Sequence, residues 1–254
     1  MTAAADTTEL ARLLSDADQS GRRLTSASLP VPVSNAQAIA IQHETLTLNG
    51  WTVGGYKVAI RPDGTSVSAP MAHITRSSDD SKTTFERPLI DAVEVEICFV
   101  LGTPLTPRGP DGYTRASVLE HVSAIRAGIE FLAHRLDDGS KSQPLLFLAD
   151  RLANAGYLVG DELDAALIEP DLSYPLTIVT NDKSLFTEPC KHPFVDPVAP
   201  LLAFANALTQ PIPAGQIITT GSLCGAIAIP HDAEIVVSGF AALTVQARST
   251  AHAD

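Results

Sequence analysis

The stretch Asp91-Ala-Val-Glu-Val-Glu-Ile-Cys-Phe-Val-Leu101 decides the fold class of this chain. Its apolar residues recur at every second position, the period of a β-strand, so Val93, Val95, Ile97 and Phe99 share one face. Glu94, Glu96 and Cys98 share the other, which sets two carboxylates on one side within about 7 Å of each other along the strand. A solvated face would account for two glutamates, yet this face runs on into Cys98 and Val100, where the strand becomes apolar. A second strand of the same kind, Ala124-Ile-Arg-Ala-Gly-Ile-Glu-Phe-Leu-Ala133, carries a single acid, Glu130, among apolar residues. A lone buried carboxylate is costly and calls for a cation or for solvent. Three acids meeting at one point would repel one another unless a divalent ion lay between them, and oxygen ligands alone favour a hard ion, Mg2+ or Mn2+, over zinc.

Outward from these two strands, short apolar runs of period two separated by Gly, Pro, Asn and Asp mark further strands at 51–60, 157–159, 176–180, 216–220, 234–238 and 242–246. Helices are expected near 115–122 and from Asp196-Pro197, an N-cap followed by proline, to about Leu208. The strands are too many and too unevenly spaced for strict βαβ alternation, so the fold class expected is α+β, with a mixed, curled β-sheet core. Residues 1–50 read as a helical N-terminal segment ahead of a core domain at 51–254. Asp6 with Glu9, and Ser34 with Gln37, give the start signals of two helices, and Asn49-Gly50 a stop. The polar, turn-rich stretch 61–81 reads as a loop over a site.

The 254 residues suit one large domain, and 45% hydrophobic with 18% charged residues is the composition of a globular protein. Seventeen Lys and Arg against 29 Asp and Glu give a net charge of −12. With no dense basic stretch, nucleic acid and anionic membrane surfaces are excluded as expected partners. A small anionic substrate would need local positive charge from a metal ion or a placed Lys or Arg. The opening Met1-Thr-Ala-Ala-Ala-Asp-Thr-Thr has no signal-peptide pattern, and no run approaches the roughly 18 apolar residues of a membrane helix, so a cytoplasmic location is expected. Cys98, Cys190 and Cys224 lie too far apart for a zinc knuckle or a disulfide framework. Gly221-Ser-Leu-Cys-Gly225 matches a nucleophile elbow in form, but no histidine and acid are placed to serve it.

The strings Gly55-Tyr-Lys-Val, Glu94-Val-Glu-Ile-Cys-Phe-Val-Leu101, Gly128-Ile-Glu-Phe-Leu-Ala-His-Arg135 and Ile217-Ile-Thr-Thr-Gly-Ser-Leu-Cys-Gly225 occur in the order and approximate spacing of a known family. Over almost the whole chain the sequence resembles the 2-keto-4-pentenoate hydratase and 4-oxalocrotonate decarboxylase family of the fumarylacetoacetate hydrolase superfamily. The resemblance implies that Glu94, Glu96 and Glu130 ligate Mg2+ or Mn2+, that Lys57 lies beside the substrate's oxygen atoms, and that Gly221 and Ser222 lie against its carboxylate. Asp150 is retained by alignment and joins Lys57 and His73 as a catalytic candidate, while Arg135 is expected to be structural. The implied activity is a lyase of aromatic compound catabolism, a hydratase adding water to a 2-hydroxy-2,4-dienoate, a small 2-oxo acid, through a metal-stabilised enolate. A homo-oligomer is implied as well. Decarboxylation of an oxo-diacid, acylpyruvate hydrolysis and non-catalytic small-molecule binding are the alternatives. One departure stands out. Where the family carries an acid before a methionine, this chain has Pro70-Met71, which makes Asp63, Asp79 or Asp80 a replacement and His73 an acid or base to test.

Overall fold

Two helices open the chain, α1 (Thr2–Ser20) and α2 (Asn35–Leu48). The computed structural model describes residues 2–77 and 83–251. The Ser34 hydroxyl accepts the Gln37 N–H at 3.2 Å, giving one of the free N–H groups of the first turn of α2 a partner. Gly50 ends that helix at φ +67°, a conformation that glycine adopts without a Cβ clash. The first helix departs from expectation: it begins at Thr2, so Asp6 lies within it rather than at its cap. A local Asp-x-x-Glu pattern does not set a helix start when the residues before it can also take helical φ and ψ. Leu10 and Leu14 of α1 bury against Ala38 and Ile41 of α2, and this pair rests on Leu146 and Leu148.

Among the described residues thirteen strands follow: β1 (Gly55–Ile60), β2 (Ser66–Met71), β3 (Ile74–Arg76), β4 (Thr83–Arg87), β5 (Ala92–Leu101), β6 (Val122–Leu132), β7 (Asn154–Glu162), β8 (Ser173–Thr180), β9 (Lys183–Lys191), β10 (Ile217–Ser222), β11 (Ile227–Ala228), β12 (Asp232–Gly239) and β13 (Leu243–Ser249). Short helices α3 (Arg115–Leu119), α4 (Pro144–Ala149) and α5 (Ala199–Asn206) interrupt them. The class is α+β with mixed sheets, as expected, but the strands divide between two sheets. One runs β2-β1-β10-β5-β6-β7-β3 with β11 on β5; the other runs β4-β13-β12-β8-β9. Pairs β1–β10, β3–β7 and β4–β13 are parallel and the rest antiparallel. Among the described residues no helix is long and apolar enough to cross a membrane.

The stretch expected as a loop at 61–81 holds β2 and β3. Its serines and Pro70 hide the strand pattern, and proline is tolerated because β2 is an edge strand with one side unpaired. Asp79 and Asp80 lie outside the described residues. The helix expected at 115–122 ends at Leu119, and the chain re-enters a strand at Val122. The helix expected from Asp196 starts at Ala199, with the Asp196 carboxylate accepting the Val198 N–H at 2.9 Å in the turn ahead of it.

Only Ala72 and His73 separate the two end strands β2 and β3, so the larger sheet curls round on itself, and the His73 carbonyl accepts the Tyr157 N–H at 2.8 Å. The outer face of β5 and β6, with Val95, Ile97, Ile129 and Phe131, packs on Ile178, Ile235 and Val245 of the second sheet to make the main core. Inside the curl lie Met71, Cys98, Tyr157, Val159 and Ile217.

Room for the Tyr157 ring inside the curl comes from Gly128, where a Cβ would stand 2.3 Å from the ring. Gly128→Ala should therefore destabilise the protein by about 1–3 kcal/mol, the usual range for overpacking. Combined with Tyr157→Leu the loss should be less than additive in denaturant melts; strict additivity would place the strain elsewhere.

Candidate metal centre

Strand register builds the centre. On β5 and β6 Glu94 stands directly opposite Glu130, and Glu96 opposite Gly128. Cross-strand neighbours have Cβ atoms about 5 Å apart, so three carboxylates on one face are forced together. One oxygen from each of Glu94, Glu96 and Glu130 lies within 4.8 Å of the others. Glu96 and Glu130 are buried, whereas 18% of the Glu94 side chain is exposed, so Glu94 marks the open side.

Lys57, brought in on β1, places Nζ 2.7 Å from Glu130 Oε1 and 3.9 Å from Glu94 Oε2. Nζ also donates to the Leu152 carbonyl at 3.3 Å, and Asn154 Nδ2 donates to Glu130 Oε1 at 2.9 Å. The Gly221 N–H donates to Glu96, and Gly221 takes φ +120° to do so. Burial, then the charges of Glu130 and Glu94, push the Glu96 carboxyl well above its usual range. Burial raises Glu130 as well, against the pull of Lys57. Burial disfavours the Lys57 ammonium, but the charges of Glu130, Glu94 and Glu96 outweigh it and hold its pKa at about 12. Lys57 is thus a fixed positive charge.

The residues present fit a divalent cation. Glu96 Oε2 and Glu130 Oε2 are buried without a hydrogen-bond partner, which is expensive unless a cation completes them. Three carboxylates and one ammonium leave two negative charges in a buried site, the amount a divalent ion neutralises. All donors are oxygens, the set of a hard ion.

Behind the centre stands a strained support that sequence reasoning missed. Arg151, Leu152 and Ala153 take φ of 54°, 53° and 63°, three successive left-handed residues without a glycine. Such residues cost on the order of 1–3 kcal/mol each and persist only when their surroundings hold them. Asp18 on α1 accepts from Arg151 at 2.6 Å and from Arg135 at 2.8 Å, and Arg135 binds the Asp150 carboxylate and the Asn154 carbonyl. This run presents the Leu152 carbonyl to Lys57 and the Asn154 amide to Glu130. No spacing signal could have found it, because a carbonyl's direction depends on φ and ψ.

The structure brings Glu94, Glu96, Glu130, Lys57 and Gly221 together, with Ser222 opposite Glu96 on β10. It does not bring in Asp150 or His73. The Asp150 carboxylate is buried on Arg135 and makes no bond to the glutamates or Lys57, so its place is in the support. His73 packs edge-on against Trp51, with ring centroids 4.4 Å apart, and its Nε2 is buried without a partner. Burial first, and then Arg87 and Arg151, push its pKa down to about 4. Pro70 pairs with Tyr56 in a strand rather than capping a site loop, and the exposed Asp63 carboxylate is taken by the N–H and hydroxyl of Thr65.

No family model matches the chain. It is 26% identical over 238 residues to the 2-oxo-hept-4-ene-1,7-dioate hydratase of Escherichia coli, covering 85% of this chain and 87% of that one. The 4-oxalocrotonate decarboxylase of Pseudomonas putida G7, complexed with calcium and acetate, superposes with a TM-score of 0.76 at 17% identity over 98% of both chains. The same enzyme complexed with magnesium and adipate gives 0.74. Fumarylpyruvate hydrolase from Pseudomonas aeruginosa, in complex with Mn2+ and pyruvate, gives 0.55 at 11% identity over 78% of this chain and 91% of that one. The chain shares the fold of these solved enzymes. The resemblance read from the sequence, to the hydratases and decarboxylases of the fumarylacetoacetate hydrolase superfamily, is borne out.

Carboxyl groups whose pKa is raised by folding stabilise the fold below their unfolded pKa and lose that contribution as pH rises through the folded value. At pH 7 the metal-free centre should therefore be a source of instability. Glu96→Gln should raise the melting temperature of the metal-free protein by a few degrees while abolishing the further rise on adding Mn2+. A variant that melts lower and still responds to Mn2+ would refute the assignment.

His73 and His192, both held near pKa 4, behave in the opposite sense. They stay neutral in the fold while the unfolded chain binds protons below about 6.5, so stability falls as pH drops from about 6.5 to about 4. His73→Phe should flatten part of that slope in melts of the parent and variant. An unchanged slope would mean that His73 is charged or exposed.

Proposed function

We propose that the chain is a metal-dependent hydro-lyase that adds water to a 2-hydroxy-2,4-dienoate, and that Glu94, Glu96 and Glu130 hold its Mg2+ or Mn2+. The convergence of three carboxylates beside Lys57 carries this reading. A bound divalent ion supplies Lewis-acid polarisation of a carbonyl oxygen. The side chains supply the rest. Lys57 would donate to the substrate's C2 oxygen, where negative charge develops. Its pKa of about 12 makes it a hydrogen-bond donor and charge partner, not a base. Ser222, part-exposed and opposite Glu96 on β10, would turn its hydroxyl from the Gly225 carbonyl to the C1 carboxylate, and the Gly221 N–H holds Glu96. Asn154 holds Glu130 in its orientation, as second partners of ligating carboxylates do.

The substrate is a small anionic 2-oxo acid, and the reading includes a cytoplasmic homo-oligomer, measurable by light scattering. Stabilising charge on a C2 oxygen serves decarboxylation equally, and the likeness over 98% of the chain to a 4-oxalocrotonate decarboxylase favours this as the second reading.

The test is turnover of 2-hydroxypenta-2,4-dienoate, 2-hydroxyhepta-2,4-diene-1,7-dioate and 4-oxalocrotonate with Mg2+, Mn2+ or chelator, following ultraviolet absorbance and released CO2. Loss of the diene without CO2, dependent on metal, is expected. CO2 release selects the second reading, and metal binding with no turnover of any substrate supports a non-catalytic binder. Lys57→Met should lower kcat about a hundredfold or more with little change in melting temperature. Full activity in that variant would remove Lys57 from the chemistry.

A further inference from the structure

We propose that Arg61 reads the far end of the substrate, binding a second carboxylate at the tip of the tail; this rests on the 2-oxo acid reading above. Along β1 side chains alternate, so Lys57, Ala59 and Arg61 project to the same face, the last at the start of the turn that follows the strand. Arg61 lies four residues beyond Lys57, just past the end of β1, or about 13 Å away at the rise of a strand. Its long side chain can bridge part of that span, which leaves the length of a short carbon chain between the two cations.

The place is built. The Arg61 N–H donates to the Thr65 carbonyl and the Gly64 N–H to the Arg61 carbonyl, both at 2.8 Å, so the turn through Pro62 holds Arg61 at a fixed root. A cleft of about 570 Å³ lies between this turn, Asn35 at the start of α2, and the segment from Ser140 to Leu152. That volume is in the range of small-molecule sites. Its inner wall includes Leu152, whose carbonyl accepts from Lys57, so cleft and metal centre share a residue. Val67, Phe147 and Leu148 give it an apolar stretch for a carbon chain.

Charge identifies the ligand. Among the described residues Arg61 is the only cation lining the cleft, and its guanidinium forms no ion pair. It makes one hydrogen bond, to Asn35 Oδ1 at 3.2 Å, which leaves most of its N–H fork free. Among the described residues Asp63 is the only acid lining the cleft; it takes its hydrogen bonds from Thr65 and feels the Arg61 charge without forming an ion pair with it. A free guanidinium fork in a part-apolar cleft matches a carboxylate, which it binds through two parallel hydrogen bonds. In a chain of net charge −12, an anionic tail needs such a local partner.

The test uses two saturated analogues of equal length, 2-oxoheptanedioate and 2-oxoheptanoate, which differ only in the terminal carboxylate. Their binding to the Mn2+-loaded protein is measured by calorimetry. The parent should prefer the dioate about tenfold or more. Arg61→Met should lose that preference while its affinity for Mn2+ and for 2-oxoheptanoate is unchanged, and Arg61→Lys should keep part of it. Equal binding of both analogues to the parent, an intact preference in Arg61→Met, or an equal loss of both analogues in that variant would each overturn the assignment. Binding of neither analogue to the parent would instead overturn the 2-oxo acid reading, and this inference with it.

Discussion

Everything around the centre answers one electrostatic constraint, three carboxylates held on one face of adjacent strands with two of them buried. At an effective dielectric near 20, two like charges 4 Å apart repel by about 4 kcal/mol, so the arrangement cannot stand on strand pairing alone. Lys57, Asn154 and the Gly221 N–H each offset part of it, and each comes from a different segment. The curl of the larger sheet follows the same need. It brings β1, β5, β6 and the start of β7 round one point, which a flat sheet of this strand order would spread apart.

The support behind the centre is also electrostatic, and it links the helical segment to the core. Asp18 on α1 sits between Arg135 and Arg151, and the pull of those two cations, set against its burial, holds its carboxyl below the usual range. Arg135 in turn holds Asp150 and the carbonyls on either side of the left-handed run 151–153. Removing one member of such a buried network leaves an unpaired charge, a loss of several kcal/mol, whereas the intact network adds little to stability. Its use lies in geometry. It fixes where the Leu152 carbonyl and the Asn154 amide point, and so where Lys57 rests.

This division explains what the sequence disclosed. Glu94 and Glu96 were legible because a strand's period of two places them on one face, and Glu130 because an acid in an apolar strand needs a partner. The α+β class was legible from the same periods. The strands at 66–71 and 74–76 were not, since Ser66-Val-Ser-Ala-Pro-Met71 looks like a turn until its edge position is known. Asp150 entered as a candidate through the resemblance and His73 through the Pro70 departure, and neither signal fixes where a side chain points. Tertiary packing turned one onto Arg135 and set the other edge-on to Trp51, neither of which leaves a local pattern.

A centre of this design is indifferent to most of its substrate. Carboxylates, ion and Lys57 engage a C1 carboxylate and a C2 oxygen, a unit common to hydration, decarboxylation and carbon–carbon hydrolysis alike. Selectivity must then come from groups farther out, where the curl opens. Past the end of the strand that carries Lys57, the chain sets Arg61 at the root of a hydrogen-bonded turn, four residues farther on. A strand is a stiff ruler, and the two hydrogen bonds of the turn hold the root of Arg61 at its end. β1 and the turn at its end would thus set both the chemistry, through Lys57, and the length and charge of the tail, through Arg61.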